Sequence, residues 1–135
     1  METRKDDLLS IRPQIPTATI YESMSNDERF QNATLRPIIK LQNDLLVEVL
    51  RNYINKHKGV FYNFLLEKKL KYIENAIQRD IKFRNSLKGI IIGQFTVEEY
   101  LIYIDNSSAL NKRMMNIVIE RLKDQIQLLE SQKVA

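Results

Sequence analysis

Apolar residues recur with a helical period over residues 66–81, and this pattern constrains the fold more than any other feature of the chain. At about 100° per residue, the apolar positions of this stretch fall within an arc of about 80°. They are Leu66, Leu70, Ile73, Ile77 and Ile81. The spacing therefore predicts an amphipathic helix that buries one face.

Four cations lie on the opposite side of the same predicted helix: Lys68, Lys71, Arg79 and Lys82. Residues 51–88 as a whole carry ten Lys and Arg against three Asp and Glu, in a chain whose formal net charge is +4. A basic helix face is typical of proteins that contact phosphate backbones, but it also occurs as a plain solvated surface. Nucleic-acid binding through this face is therefore the alternative function that the sequence leaves open.

The helical pattern breaks after Ile81, because Arg84 and Lys88 fall on the side that had been apolar. Two explanations are open. Either the helix bends here, or Arg84 points into the interior and finds a carboxylate. Asp80, one turn earlier, is the candidate partner for such a buried ion pair.

Composition and capping signals extend the helical prediction to the rest of the chain. Three glycines and three prolines in 135 residues favour helices over a turn-rich β fold. Capping boxes are expected to begin helices at Ser25 and Thr96. Thr34 is a plausible cap for a helix with Pro37 in its first turn, and Gly59 is expected to end that helix in a left-handed conformation.

The last two predicted helices carry the remaining apolar stripes. In the helix that begins at Val97, we expect Tyr100, Leu101 and Ile104 to point inward. The final helix, which should run to about Ser131, has a heptad seam of about two heptads. The seam consists of Met115, Ile119, Leu122, Ile126 and Leu129. It is interpreted first as core within the chain and second as the interface of a dimer.

These patterns predict an all-α fold, a compact bundle of four main helices with one or two short ones. The bundle is expected to be a single domain over residues 25–135. Residues 1–24, which contain Pro13 and Pro16 and show no sustained period, are expected to form an extended or flexible N-terminal arm.

Catalytic and metal-binding chemistry has little support in the sequence. There is no cysteine, and the one histidine, His57, lies between two lysines at a predicted helix end. No Glu-x-x-His motif accompanies the carboxylates that could converge inside a bundle, which are Asp44, Glu48, Glu74 and Asp80. We therefore expect no catalytic residues, no metal and no cofactor, and an enzyme is not expected.

A helix-turn-helix can also be drawn over residues 96–121. In that reading Asn111, Lys112 and Arg113 would face a DNA groove. The turn between the two helices lacks the glycine that is often found there, and Asn106 is only a partial substitute. The motif is weak evidence for DNA binding, because any two short amphipathic helices can be drawn in this way.

Three runs of the chain resemble a group of small uncharacterised bacterial proteins. The runs are 30–46 (FQNATLRPIIKLQNDLL), 81–89 (IKFRNSLKG) and 107–115 (SSALNKRMM). The resemblance implies an all-helical protein and supplies no catalytic residues. Some members carry a glyoxalase label, which this chain contradicts, because a glyoxalase-type site needs several His and Glu ligands on a β-rich scaffold.

The function expected from the sequence is association with other proteins. The last helix has apolar residues on more than one side, so a homodimer or another protein partner is expected to cover part of them. The chain shows neither the apolar run of a signal peptide nor the roughly 20 apolar residues of a membrane span. A cytoplasmic protein with no membrane contact is therefore expected.

Overall fold

The computed structural model describes residues 3–130, and over that range the chain is all-α with no strand, as predicted. A π-helical turn, Gln31–Leu35, joins the second and third helices, and a 3-10 turn, Val60–Asn63, follows the fourth. The α-helices are α1 (Thr3–Ile11), α2 (Asn26–Phe30), α3 (Arg36–Leu41), α4 (Asn43–Lys56), α5 (Leu66–Arg79), α6 (Ile81–Ile92), α7 (Val97–Ile104), α8 (Ser107–Asp124) and α9 (Ile126–Glu130). The predicted end of the last helix, near Ser131, lies outside the described residues.

Both predicted capping boxes are confirmed. The Ser25 hydroxyl accepts a hydrogen bond from the amide of Glu28 at 3.1 Å, and the Thr96 hydroxyl accepts one from the amide of Glu99 at 3.2 Å. The carboxylate of Glu99 in turn accepts a hydrogen bond from the Thr96 amide at 2.8 Å. Each box satisfies amides that a helix leaves free at its first turn.

A π-helical turn replaces the predicted helix start at Thr34. Helical backbone runs without interruption from α2 through this turn into α3, and Pro37 lies in the first turn of α3. A proline cannot donate to the carbonyl four residues earlier, and the wider π turn lies immediately before it. The Thr34 side chain does not cap α3, and its hydroxyl donates a hydrogen bond to Glu99 instead.

At three places in the chain, a single residue joins two consecutive helices. Gln42 separates α3 from α4, Asp80 separates α5 from α6, and Gln125 separates α8 from α9. At Asp80 the backbone is extended, with φ −85° and ψ 100°, so the helix predicted to continue beyond Ile81 bends at this point. Of the two explanations for the broken pattern, the bend is therefore the one that the structure shows.

Helix α8 lies at the centre of the fold. It contacts α3, the π turn, α5, α6 and α7, and its buried side chains cover about half of its circumference. They are Leu110, Met114, Met115, Val118, Ile119 and Leu122. Neighbours on several sides thus cover the apolar residues that a helix on the surface of a protein would leave exposed. The buried apolar side chains form one cluster, from Phe30 to Leu129.

The N-terminal segment is not wholly extended, because Thr3–Ile11 forms helix α1. No residue of α1 is buried, so polar contacts rather than core packing hold this helix on the domain. The prolines that led us to predict an arm without regular structure come directly after the helix. Within residues 3–130, no helix combines the length and the apolar composition needed to cross a bilayer.

The turn after α4 has two successive residues in the left-handed region. Gly59, with φ 64°, confirms the prediction for the end of this helix, and its amide donates to the carbonyl of Ile54. Lys58 has φ 67°, which costs a residue with a side chain about 1–2 kcal/mol.

Candidate interaction surface

The five residues of the predicted seam lie in the protein's own core. Met115, Ile119, Leu122, Ile126 and Leu129 are all buried in the single apolar cluster. Their heptad spacing therefore serves packing within one chain, as the first of the two interpretations had it. In the folded protein a second copy has no access to them.

Helix α7 turns most of its apolar residues to solvent. The exposed fractions are 65% for Val97, 45% for Tyr100, 55% for Leu101 and 48% for Ile104. At 100° per residue these four side chains fall within an arc of about 100°. We call these four residues the α7 face. The expectation that Tyr100, Leu101 and Ile104 point inward was wrong.

Glu99 fixes the rotation of α7 about its axis. Its carboxylate accepts two hydrogen bonds of 2.6 Å from Arg12 and one of 3.1 Å from the hydroxyl of Thr34. With Glu99 held on the inner side, Tyr103 one turn later is also buried, and its ring packs against Phe95 with centroids 5.5 Å apart. The apolar residues on the other side of α7 consequently face outward.

The ion pair between Arg12 and Glu99 is nearly buried. The exposed fractions of the two side chains are 7% and 15%, and Arg12 also donates to the carbonyl of Gln94 at 2.8 Å. Burial by itself would raise the pKa of Glu99, but hydrogen bonds from Arg12, the Thr96 amide and the Thr34 hydroxyl lower its pKa overall. Glu99 is therefore ionised at neutral pH and holds the N-terminal segment against α7.

Two further contacts place α1 beside the start of α7. Lys5 forms an ion pair with Glu98 at 2.6 Å, and Arg4 donates to the carbonyl of Gly93 at 3.2 Å. These partners are 93 and 89 positions apart in the sequence, so no local pattern connects them. The only local signal for this site is the capping box that contains Glu99.

The four predicted cations of the basic face are all exposed. Lys68, Lys71, Arg79 and Lys82 form no salt bridge with another described residue, and Lys68 lies 4.5 Å from the ring centre of Phe64. We call these four residues the basic face. Lys69, between two of them, is buried and pairs with Glu130 instead.

The predicted ion pair between Asp80 and Arg84 does not form. The carboxylate of Asp80 caps α6, where it accepts hydrogen bonds from the Phe83 amide at 3.2 Å and from the Tyr53 hydroxyl at 2.9 Å. The hydrogen bond from the Phe83 amide, and to a smaller extent the one from the Tyr53 hydroxyl, lowers the pKa of Asp80. Burial, followed by the hydrogen bond to Asp80, raises the pKa of Tyr53 to about 12.

The weaker candidates from the sequence are not brought together in a site. His57 is exposed and stacks on the ring of Tyr53, with centroids 4.0 Å apart. In the helix-turn-helix drawn over residues 96–121, Asn111 accepts a hydrogen bond from Tyr103 and Arg113 donates one to Gln31. Of the three residues expected to face a DNA groove, only Lys112 is fully exposed. No group of three or more histidine or acidic side chains within residues 3–130 is arranged to hold a metal ion.

Comparison of the chain with protein-family models, with curated proteins and with solved structures finds no match. The resemblance drawn from the sequence therefore stays a prediction.

Proposed function

We propose that this protein acts by self-association, as a homodimer in which two copies pair through their α7 faces. The observation that carries the proposal is the set of four large apolar side chains, each about half exposed, along one side of an eight-residue helix. Exposed apolar patches of this kind mark interaction sites on otherwise soluble proteins.

The exposed area of the α7 face suits the centre of an interface. If a large side chain has about 150 to 250 Å² of surface, the four residues together expose roughly 400 Å². A stable dimer buries about 800 Å² on each partner, with an apolar centre and a polar rim. The α7 face would supply about half of that area, and the charged residues beside it would supply the rim.

Charge and symmetry favour a second copy as the occupant of this face. A twofold axis beside Leu101 would run the two helices antiparallel and would place Val97 of one copy against Ile104 of the other. Beside the start of α7, Lys5 is paired with Glu98, whereas Arg4 donates to the carbonyl of Gly93 and forms no salt bridge within residues 3–130; the residue after the end of α7 is Asp105. An antiparallel pair would bring Arg4 of each copy toward Asp105 of the other.

A charge at Leu101 tests the dimer directly. Burial of about 100 Å² of this side chain on each copy contributes about 2.5 kcal/mol per copy, so Leu101→Glu is expected to weaken the dimer at least about a hundredfold. The measurement is molar mass by light scattering after size exclusion. Leu65→Glu is the matched control, because Leu65 is 84% exposed and lies outside α7.

A single cysteine gives a geometric test, because the chain has no native cysteine. Residues beside a twofold axis come close enough for a disulfide, whose Cα atoms lie about 4.4–6.8 Å apart. Under mild oxidation Leu101→Cys is expected to form a covalent dimer and Leu65→Cys is not. A wild-type protein that stays monomeric at high concentration, or equal crosslinking of the two variants, would contradict the proposal.

The exposure of the basic face supports a second candidate function, which is nucleic-acid binding. Lys68, Lys71, Arg79 and Lys82 form no salt bridge with a described residue, although Lys71 lies near Glu74, and all four side chains are exposed where phosphates can reach them. Affinity for duplex DNA or single-stranded RNA is then expected to fall steeply with salt, because each phosphate contact releases counterions.

Charge reversal on the basic face tests the second candidate by fluorescence anisotropy. Lys68→Glu together with Lys71→Glu is expected to abolish binding. A control that combines Lys56→Glu and Lys58→Glu makes the same change of net charge at exposed residues outside the face. Equal losses in the two double variants would show an effect of net charge alone and would remove the basic face as a specific site.

A further inference from the structure

Two adjoining polar depressions, each of about 600 Å³, lie between the π turn and helix α8. They share Gln31, Arg36, Ile117 and Arg121 as lining residues, so together they form one continuous groove. We call it the arginine groove. It lies apart from both the α7 face and the basic face, since it shares no residue with either.

Three arginines line this groove without an acidic partner. Arg36, Arg113 and Arg121 take part in none of the salt bridges of residues 3–130. The Nε atom of Arg121 is buried and has no hydrogen-bond partner among those residues. Because a guanidinium carries five N–H donors, the groove offers many donors that the protein itself does not use.

Neutral amides of the π turn position two of the arginines. Gln31 accepts a hydrogen bond of 2.8 Å from Arg113, and Asn32 accepts one of 3.2 Å from Arg36. An amide holds a guanidinium in place but does not neutralise its charge. The positive charge of both side chains is therefore left for a ligand, and π turns often occur at functional sites.

The two ends of the groove differ in chemistry. Next to residues 15–18 the lining cations are Arg36, Lys40 and Arg121, and no carboxylate lines this end. The other end adds Asn116, Glu120 and Asp124, which are exposed and whose side-chain oxygens accept no hydrogen bond from the described residues. An anion suits the first end, and hydroxyl groups suit the second.

We propose that the arginine groove binds a phosphorylated sugar or polyol. The phosphate lies between Arg36, Arg121 and Lys40, and the hydroxyl groups donate to Glu120 and Asp124. No aromatic ring lines either end, so the groove has no stacking platform for a nucleobase. This favours a sugar phosphate over a nucleotide.

The N-terminal segment forms one wall of the phosphate end. Ile15, Thr17 and Ala18 line it, and Lys40 and Asn32 donate to the carbonyls of Gln14 and Thr19 at 3.4 and 3.3 Å. Because this wall is tied to the domain through Arg12, ligand binding and the docking of the segment are expected to strengthen each other.

Calorimetric titration with glucose 6-phosphate, glucose, inorganic phosphate and AMP tests the class of ligand. Glucose 6-phosphate is expected to bind at least about tenfold more tightly than the other three. It alone places a phosphate at one end of the groove and sugar hydroxyl groups at the other without adding a nucleobase that has no stacking partner. Absence of glucose 6-phosphate binding at millimolar concentration would overturn the proposal. Inorganic phosphate or AMP binding as tightly as glucose 6-phosphate would overturn the sugar-phosphate assignment.

Substitutions at the two ends of the groove test the placement of the ligand. Arg121→Gln is expected to weaken glucose 6-phosphate binding about tenfold or more, and Arg79→Gln on the basic face makes the same charge change as a control. Equal weakening by both would show that binding follows net charge alone. Asp124→Asn, at an exposed residue whose loss should not affect folding, is expected to weaken glucose 6-phosphate and leave phosphate binding unchanged. If Asp124→Asn weakened the binding of both glucose 6-phosphate and inorganic phosphate, the assigned orientation of the ligand in the groove would be contradicted.

Discussion

Replacement of Arg12 by alanine is expected to release the N-terminal segment and destabilise the whole domain. The change removes two hydrogen bonds to Glu99 and one to the carbonyl of Gln94, and it leaves a carboxylate that is only 15% exposed without its cation. Removal of one partner from a buried ion pair costs about 3–5 kcal/mol. Because the segment lies at the surface and can lift away, water will reach Glu99, and we expect a loss of about 2–3 kcal/mol.

Urea unfolding followed by circular dichroism measures this loss, and hydrogen exchange measures the release of the segment. Amides of α1 should exchange much faster in Arg12→Ala, whereas those of α8 should change only by the loss of global stability. Lys5→Ala is the control, because it breaks the exposed pair with Glu98 and should change stability little.

A double-mutant cycle isolates the contribution of the ion pair. In a Glu99→Gln background, which keeps the capping box but removes the charge, Arg12→Ala should cost at least about 1 kcal/mol less than in the wild type. An equal cost in both backgrounds would show that Arg12 acts through packing alone. A loss below about 0.5 kcal/mol in the wild type would refute the view that this pair holds the segment.

Three further predictions concern titration and backbone strain. The pKa of Glu99 is lowered in the folded protein, so the ionised carboxylate contributes to stability at pH values above the ordinary glutamate pKa. That contribution is lost as the pH falls through the lowered pKa of the folded protein. Acid unfolding of Glu99→Gln should therefore show a shallower pH dependence in this range. In an ultraviolet titration one tyrosine should ionise near pH 12, and Asp80→Asn should return its pKa toward 10, whereas Tyr53→Phe should eliminate it. Lys58→Gly should raise the free energy of unfolding by about 0.5–1 kcal/mol in chemical denaturation, because glycine tolerates the left-handed backbone; Lys58→Ala, which keeps the strain, should give no gain.

Features that depend on neighbouring residues were predictable from the sequence. The capping boxes at Ser25 and Thr96 and the left-handed turn at Gly59 were predicted from local spacing, and the structure confirms all three. The helical period of 66–81 located helix α5, although Ile81 lies beyond its end and is 68% exposed. Local spacing is informative in these cases because the partner groups lie within one helical turn.

Features that depend on distant partners were not predictable. Four of the six apolar residues of α7 lie on one stripe, so periodicity alone assigns that stripe to the core. They are Val97, Tyr100, Leu101 and Ile104. Their outward direction follows from Glu99, whose partners lie 65 and 87 positions away in the chain. The groove arginines are similarly hidden, because nothing in the sequence brings Arg36 next to Arg121 until α3 and α8 pack.

Single-residue joints make the register of this protein intolerant of insertion. Asp80 is both the end of α5 and the cap of α6, so one added residue there would rotate α6 by about 100° and carry Phe83, Leu87 and Ile91 away from the core. The same holds where Gln42 and Gln125 join their helices. The segment between α1 and α2 has no such joint, and related chains are expected to differ in length there, while the spacing from α3 to α4, from α5 to α6 and from α8 to α9 stays constant.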